Sequence, residues 1–343
     1  MNATQRFLVG TYTAPHGRGG GVHTFELTAS GELRGGSVVA DVASPSFLAL
    51  HPRLPVLYAV AEHAAELAVR TFTEGAWVPT QANLPAGAAA CHVRVDPDGG
   101  AVTVACWGDG AVVRYTLSDS GEVSGGWVAP KAETSRPDVQ SRAHATIAVP
   151  GGFVSTDLGL DLLRRWDTRG PEPREVDRLE LPAGSGPRHL ASPRAGVLWV
   201  VSEYSSEVFT VDLDGAQMAL RDRVPVRAGG PASGDSAAEI ATSESGRWLT
   251  VGVRGSDLVA TIRIDDDGGL SPWSEHPAGG SRPRHHRHVH DGLLVAAQAS
   301  NQLILLPFDE DTGRIGAPLA TLTCPSPTYL LADDRAGAAE SLA

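Results

Sequence analysis

The chain has 343 residues, 39 of them glycine and 24 proline, with 20% charged residues, a turn-dense globular composition that excludes a helical rod or a disordered polymer. A net charge of −12 disfavours general binding to nucleic acid or anionic membranes, although a local basic cluster remains able to hold a small anion. No apolar run approaches the roughly 18 residues of a membrane span, the opening MNATQRFLVGTYT lacks a signal-peptide pattern, and Cys91, Cys106 and Cys324 are too widely spaced for a disulfide framework or a thiolate metal motif.

Taken in chain order, the first 44 residues hold FLVGTYT, GGGVHTFEL and a stretch after the TASGEL turn: three strand-like segments without a partner before them. A unit then recurs, with an apolar stretch, a Pro/Asp/Gly turn and a second apolar stretch. It appears as HPRLP-VLYAVAE, DPDGG-AVTVACW, PGG-FVSTDLG, SPRAG-VLWVVSE, SESGR-WLTVGVR and HDG-LLVAAQ. The copies start at Pro45, Ala90, Arg142, Pro187, Ala237 and Pro283, and a last start at Pro327 is followed by one strand only. Each copy holds about four strand-like segments; in the fourth these are RHLAS, VLWVVSE, VFTVDL and QMALRDRV. A period of 44 to 52 residues with four strands predicts an all-β, seven-bladed β-propeller of four-stranded antiparallel blades, about 28 strands in all. Residues 1–44 and 327–332 would share the closing blade, which leaves no sheet edge bare. The whole of 1–343 is then one domain rather than the two its length allows, and 333–343 is expected to fray.

In such a blade the start of strand one and the end of strand two lie on one face. The starts supply Cys91 and His92, Arg142 and His144, Arg188 and His189, Glu239, and Arg284 and His285. The ends supply Tyr12, Glu62, Trp107, Asp157, Glu203, Arg254 and Gln298. So many ionisable groups around one channel mouth suit an anionic substrate and proton transfer; the plainer alternative is that they pair with one another and plug the channel.

These residues resemble the seven-bladed propeller lactonase family, which includes bacterial 6-phosphogluconolactonases and fungal carboxy-muconate lactonizing enzymes. The matching elements are Val9-Gly10-Thr11-Tyr12-Thr13, Gly186-Pro187-Arg188-His189-Leu190 with Val201-Ser202-Glu203, Ala238-Glu239-Ile240 with Arg254-Gly255, Pro283-Arg284-His285 with Ala297-Gln298, and FDEDTGRI from Phe308. The resemblance implies a metal-independent site without cofactor, with His144, Arg188, Glu203 and Arg254 as the catalytic set. Glu239, Arg284, His285, His189, Arg142, Asp157, Gln298, His92, Trp107 and Glu62 would bind substrate. Three places depart from the family pattern: Arg142 where a first His is frequent, Cys106-Trp107 for a frequent Asn-Tyr, and Arg287 with His288 in a usually apolar strand.

The chemistry then expected is hydrolysis of a sugar lactone, foremost 6-phospho-D-gluconolactone. His144 would activate water, assisted or replaced by Glu203 or Glu239, and the arginines would hold the anion and the oxyanion. No G-x-S-x-G elbow suggests a nucleophilic serine. A muconate-type cycloisomerase and a non-catalytic binding propeller are the alternatives. The partner is a small anionic lactone or carboxylate, with neither nucleic acid nor membrane, on a monomeric cytoplasmic protein.

Two further segments stand out. In His285-His286-Arg287-His288-Val289-His290, alternate histidines share a strand face, but three of them spread over about 13 Å, too wide for one tetrahedral zinc. Arg227–Ser236, rich in Gly, Ser and Pro, leads into the fifth copy on the site face, either as a flap or as a plain connector.

Overall fold

A computed structural model describes residues 4–132, 136, 138–170, 172–192, 196–215, 217–290 and 292–333. It contains seven antiparallel sheets in a closed ring. The inner strands are Pro45–Leu50, Ala90–Val95, Ala143–Val149, Pro187–Ala191, Ser236–Thr242, Pro283–Val289 and Pro327–Ala332, within one residue of the starts expected from the repeat. The last of these completes the blade formed by Gln5–Thr11, Val22–Leu27 and Leu33–Ala40, with Phe7 opposite Ala332 and Leu8 opposite Leu331. Asp333, the first residue of the segment expected to fray, is buried and its backbone N–H donates to Arg6 O at 2.8 Å; 334–343 lie outside the described residues.

Strand two is sandwiched between its neighbours and in most blades reads as a largely apolar run. Val56–Ala61, Ala101–Cys106, Val197–Ser202, Trp248–Arg254 and Gly292–Ala297 are buried at every position. Outer strands such as Gln217–Pro225 are mostly exposed and carry the charge. Two outer strands are split, as Ala76–Pro79 with Leu84–Pro85 and as Arg314–Ile315 with Ala320–Thr323. The four-per-blade pattern therefore yields 30 strand segments among the described residues. The core lies between the blades as seven apolar clusters, anchored by Trp199, Phe7, Tyr58, Leu57, Leu293, Phe209 and Trp166.

A shared irregularity prepares the site. In all seven blades the ladder of strand one slips at the same place: Pro45/Leu48, beside Cys91, Ala143/Thr146, Pro187/Leu190, Ala237/Ile240, Pro283/His285 and opposite Gly10/Thr11. A bulge inserts an extra residue and re-aims side chains. Neighbours such as Arg188 and His189, which regular pleating would send to opposite faces, are both released toward the channel region.

Candidate active site at the channel mouth

Glu203 anchors the centre. Its Oε2 lies 2.9 Å from Arg188 Nε and 3.0 Å from Arg254 Nη2. Arg188 also donates to Ala238 O at 2.7 Å, and Arg254 to Ser236 Oγ at 2.6 Å. Burial pushes the Arg254 pKa down to about 10, with Arg188 adding repulsion and Glu203 opposing it. Burial works to raise the Glu203 pKa, but Arg254 and Arg188 outweigh it and hold the carboxyl below its usual range. Beside this triad, Arg284 Nη2 is 3.7 Å from Glu62 Oε2, which accepts a 2.8 Å hydrogen bond from Tyr12. The Arg284 guanidinium also lies 5.1 Å over the Tyr12 ring.

A second layer is built of neutral rings. His189 Nδ1 is 2.7 Å from Glu239 Oε2, and His285 Nε2 is 3.4 Å from the same oxygen. His189 neighbours His144 and His92 at ring-centroid distances of 5.1 and 6.0 Å. Burial, then Arg188, drives the pKa of His144 and of His189 well below the usual imidazole value, and burial holds His92 and His285 at about 3. At neutral pH these rings are proton acceptors. Phe47 and Tyr329 close the layer, 3.8 Å apart by ring centroid. Neither was singled out in the sequence, although both occupy the repeat position held elsewhere by His92, His189, Glu239 and His285.

At the rim the guanidinium of Arg142 lies over Trp107, an exposed ring. Two other expected residues are placed differently. Asp157 is buried and spends its carboxylate on the loop, accepting from Arg142 N at 2.8 Å, Leu160 N at 3.0 Å and the Ser141 hydroxyl. Gln298 shows no hydrogen bond to the Arg–Glu cluster, and its Oε1 is buried without a partner.

The same device as Asp157 recurs unforeseen. Asp161 accepts from Gly184 N at 3.0 Å and Gly186 N at 2.9 Å, fixing the approach to Arg188. Gly186 has φ +67°, and a Cβ there would meet the Tyr204 ring at 2.6 Å, so the turn requires glycine. Asp235 accepts from Ala232 N, Ser256 N and Arg227, which staples 227–236 rather than freeing it as a flap. His286 and His288 both meet Thr250 Oγ1, at 2.9 and 3.0 Å, and among the described residues no group of three metal-capable side chains assembles.

Arginines clamped by a carboxylate, next to unprotonated imidazoles, can polarise a carbonyl and accept a proton from water. A profile described as lactonase, 7-bladed beta-propeller, matches residues 6–332. The 6-phosphogluconolactonase of Bacillus subtilis is 26% identical over 341 residues, covering 93% of this chain and 95% of that protein. A Lactobacillus plantarum protein superimposes with a TM-score of 0.88 at 23% identity, covering 96% of this chain and 100% of that one. The periplasmic gluconolactonase of Pseudomonas aeruginosa gives 0.86 at 22%, covering 96% and 99%.

Proposed function

The chain belongs to the seven-bladed β-propeller lactonase family, and from that premise we propose that it hydrolyses a sugar lactone, with 6-phospho-D-gluconolactone as the foremost substrate. The observation that carries this reading is the Arg188–Glu203–Arg254 clamp. One carboxylate is shared by two buried guanidinium groups, and Arg254 is further repelled by Arg284, so an anionic or carbonyl oxygen placed there relieves a surplus of positive charge.

In this mechanism Arg188 and Arg254 donate to the lactone carbonyl oxygen as it becomes an oxyanion, a contribution of about a hundredfold or more per donor. His144, neutral because it is buried beside Arg188, takes a proton from the attacking water and returns it to the ring oxygen as the ring opens. Glu203, held ionised, serves to aim the two arginines. Arg142 on Trp107 meets the phosphate at the rim. The lactone-forming alternative requires a proton donor at the start, which a neutral His144 does not supply.

The test is hydrolysis of δ-gluconolactone and its 6-phosphate, each corrected for spontaneous opening. Acceleration of the 6-phosphate, lost in His144→Ala and Arg254→Ala, supports the reading. Acceleration of the unphosphorylated lactone alone narrows it to a gluconolactonase, and turnover of neither refutes it. A phosphorylated substrate also fits the cytoplasm, which cell fractionation checks.

A further inference from the structure

Beneath the clamp, the rest of the channel is a cavity of about 380 Å³ whose lining includes Phe47, His92, Thr146, His189, Glu239 and Tyr329. It runs to the partly exposed Leu50, Val95 and Leu331 near the other ends of the inner strands. His189 is the ring between this cavity and His144. Because a carboxylate only accepts, the 2.7 Å contact with Glu239 puts the His189 proton on Nδ1 and leaves Nε2 bare. That Nε2 is buried without a partner, as are Nδ1 of His144 and Nδ1 of His92, on rings 5.1 and 6.0 Å away. Buried polar atoms are nearly always paired. Three unpaired nitrogens on neighbouring rings around one channel are therefore an arrangement to be explained.

We propose that His189 carries protons between His144 and the far half of the channel, so that the lactone occupies one mouth while the proton released by its hydrolysis leaves through the other. This rests on the lactone reading above. Water adds to the carbonyl carbon as His144 takes one of its protons. The ring C–O bond then breaks with its electron pair on the ring oxygen, which takes that proton back. The carboxylic acid formed ionises by giving its proton to His144, which is neutral again once it has protonated the ring oxygen, and His144 hands it on. The near mouth is filled by product and lined by Arg188, Arg254 and Arg284, all of which repel a cation, whereas the one arginine lining the far half, Arg94, is paired with Asp96 at 2.9 Å. The bare Nε2 of His189 accepts the proton, and Glu239 stabilises the imidazolium while it lasts, as a carboxylate does behind a catalytic histidine. Burial, then the charges of Arg188, Arg284 and Arg254, disfavour charge on this ring, so the proton passes on rather than resting there.

The experiment compares wild type, His189→Ala, Glu239→Gln and His189→Ala combined with either Ala49→Phe or Leu331→Trp. The last two substitutions fill the far half of the channel. Turnover of the accepted gluconolactone is followed by dye-detected proton release, with and without added imidazole, and folding is checked by circular dichroism. We expect kcat to fall about a hundredfold in His189→Ala, with KM within about twofold. Imidazole should restore much of the rate, and either filling substitution should abolish that rescue. Glu239→Gln, which keeps the shape, should lower kcat with KM unchanged and covers the case that His189→Ala does not fold. Undiminished kcat in His189→Ala or Glu239→Gln, or rescue indifferent to both fillings, overturns the relay alone. A wild type without turnover overturns the lactone reading and the relay with it.

Discussion

The guanidinium of Arg142 lies 3.7 Å over the ring of Trp107, at the edge of the mouth between the second and third blades. The stack holds a mobile cation in one place, and its Nη2 donates to Gln140 Oε1 at 3.1 Å. A cation–π contact of this kind contributes about 1 kcal/mol, which corresponds to roughly fivefold in binding. Trp107→Ala is expected to raise KM for a phosphorylated lactone by that factor and leave an unphosphorylated one unchanged. Steady-state kinetics on the two substrates read the difference.

Replacing Glu203 by Gln removes the charge shared by Arg188 and Arg254. Breaking a buried ion pair from one side costs about 3 kcal/mol or more, because the partner charges stay buried. Denaturant unfolding of Glu203→Gln should show a loss of that order, and lactone turnover should fall as the two donors lose their alignment.

Acid should unfold the ring cooperatively. Burial holds His92 and His285 at about 3 and His286 and His288 at about 4, whereas an unfolded imidazole titrates near 6.5. Between those values the unfolded chain binds more protons, so the contribution is complete above about 6.5 and is lost as pH falls toward 4 for His286 and His288 and toward 3 for His92 and His285. Each histidine contributes up to about 1.4 kcal/mol per pH unit. His288→Leu removes one such group, and the midpoint of acid unfolding, followed by fluorescence of buried Trp166 and Trp199, should move to lower pH.

Asp161 touches no substrate in the proposed mechanism but pins Gly184 and Gly186 ahead of Arg188. Asp161→Ala leaves the buried Gly186 N–H unpaired, a loss of about 1–3 kcal/mol, and frees the more exposed Gly184 N–H to solvent. Turnover should drop mainly in kcat, because Arg188 is displaced while the rim is untouched. Kinetics together with thermal unfolding distinguish this from general collapse.

The ring was legible because burial on both faces leaves a coarse mark: runs such as Val56–Ala61 and Trp248–Arg254 recur at nearly constant spacing and leave one strand over. The alignment of repeats also brought Arg188, Glu203 and Arg254 to one place. What it concealed are short-range matters of hydrogen bonding. The slip in each inner ladder has no residue signature, since Ser46, Cys91, His144 and Ala238 all sit in it. Asp157 looked like a channel carboxylate because position alone does not tell whether a side chain points inward or back to its own loop. The splitting of outer strands at Ala76–Pro79 and Arg314–Ile315 depends on edges facing solvent, where apolar pattern is weakest.

The pairing of Gln5–Thr11 with Pro327–Ala332 separates the order of the polypeptide from the order of the blades. Phe7 and Ala332 are cross-strand neighbours, and Asp333 is bonded to Arg6, so a linker of a few residues joins these two strands without disturbing either. A circular permutant cut in any loop between two blades would then keep every interblade contact while moving the seam. The clamp of the fourth and fifth blades should be indifferent to where the chain starts, whereas refolding should slow, because no blade then ties the two ends of the chain together.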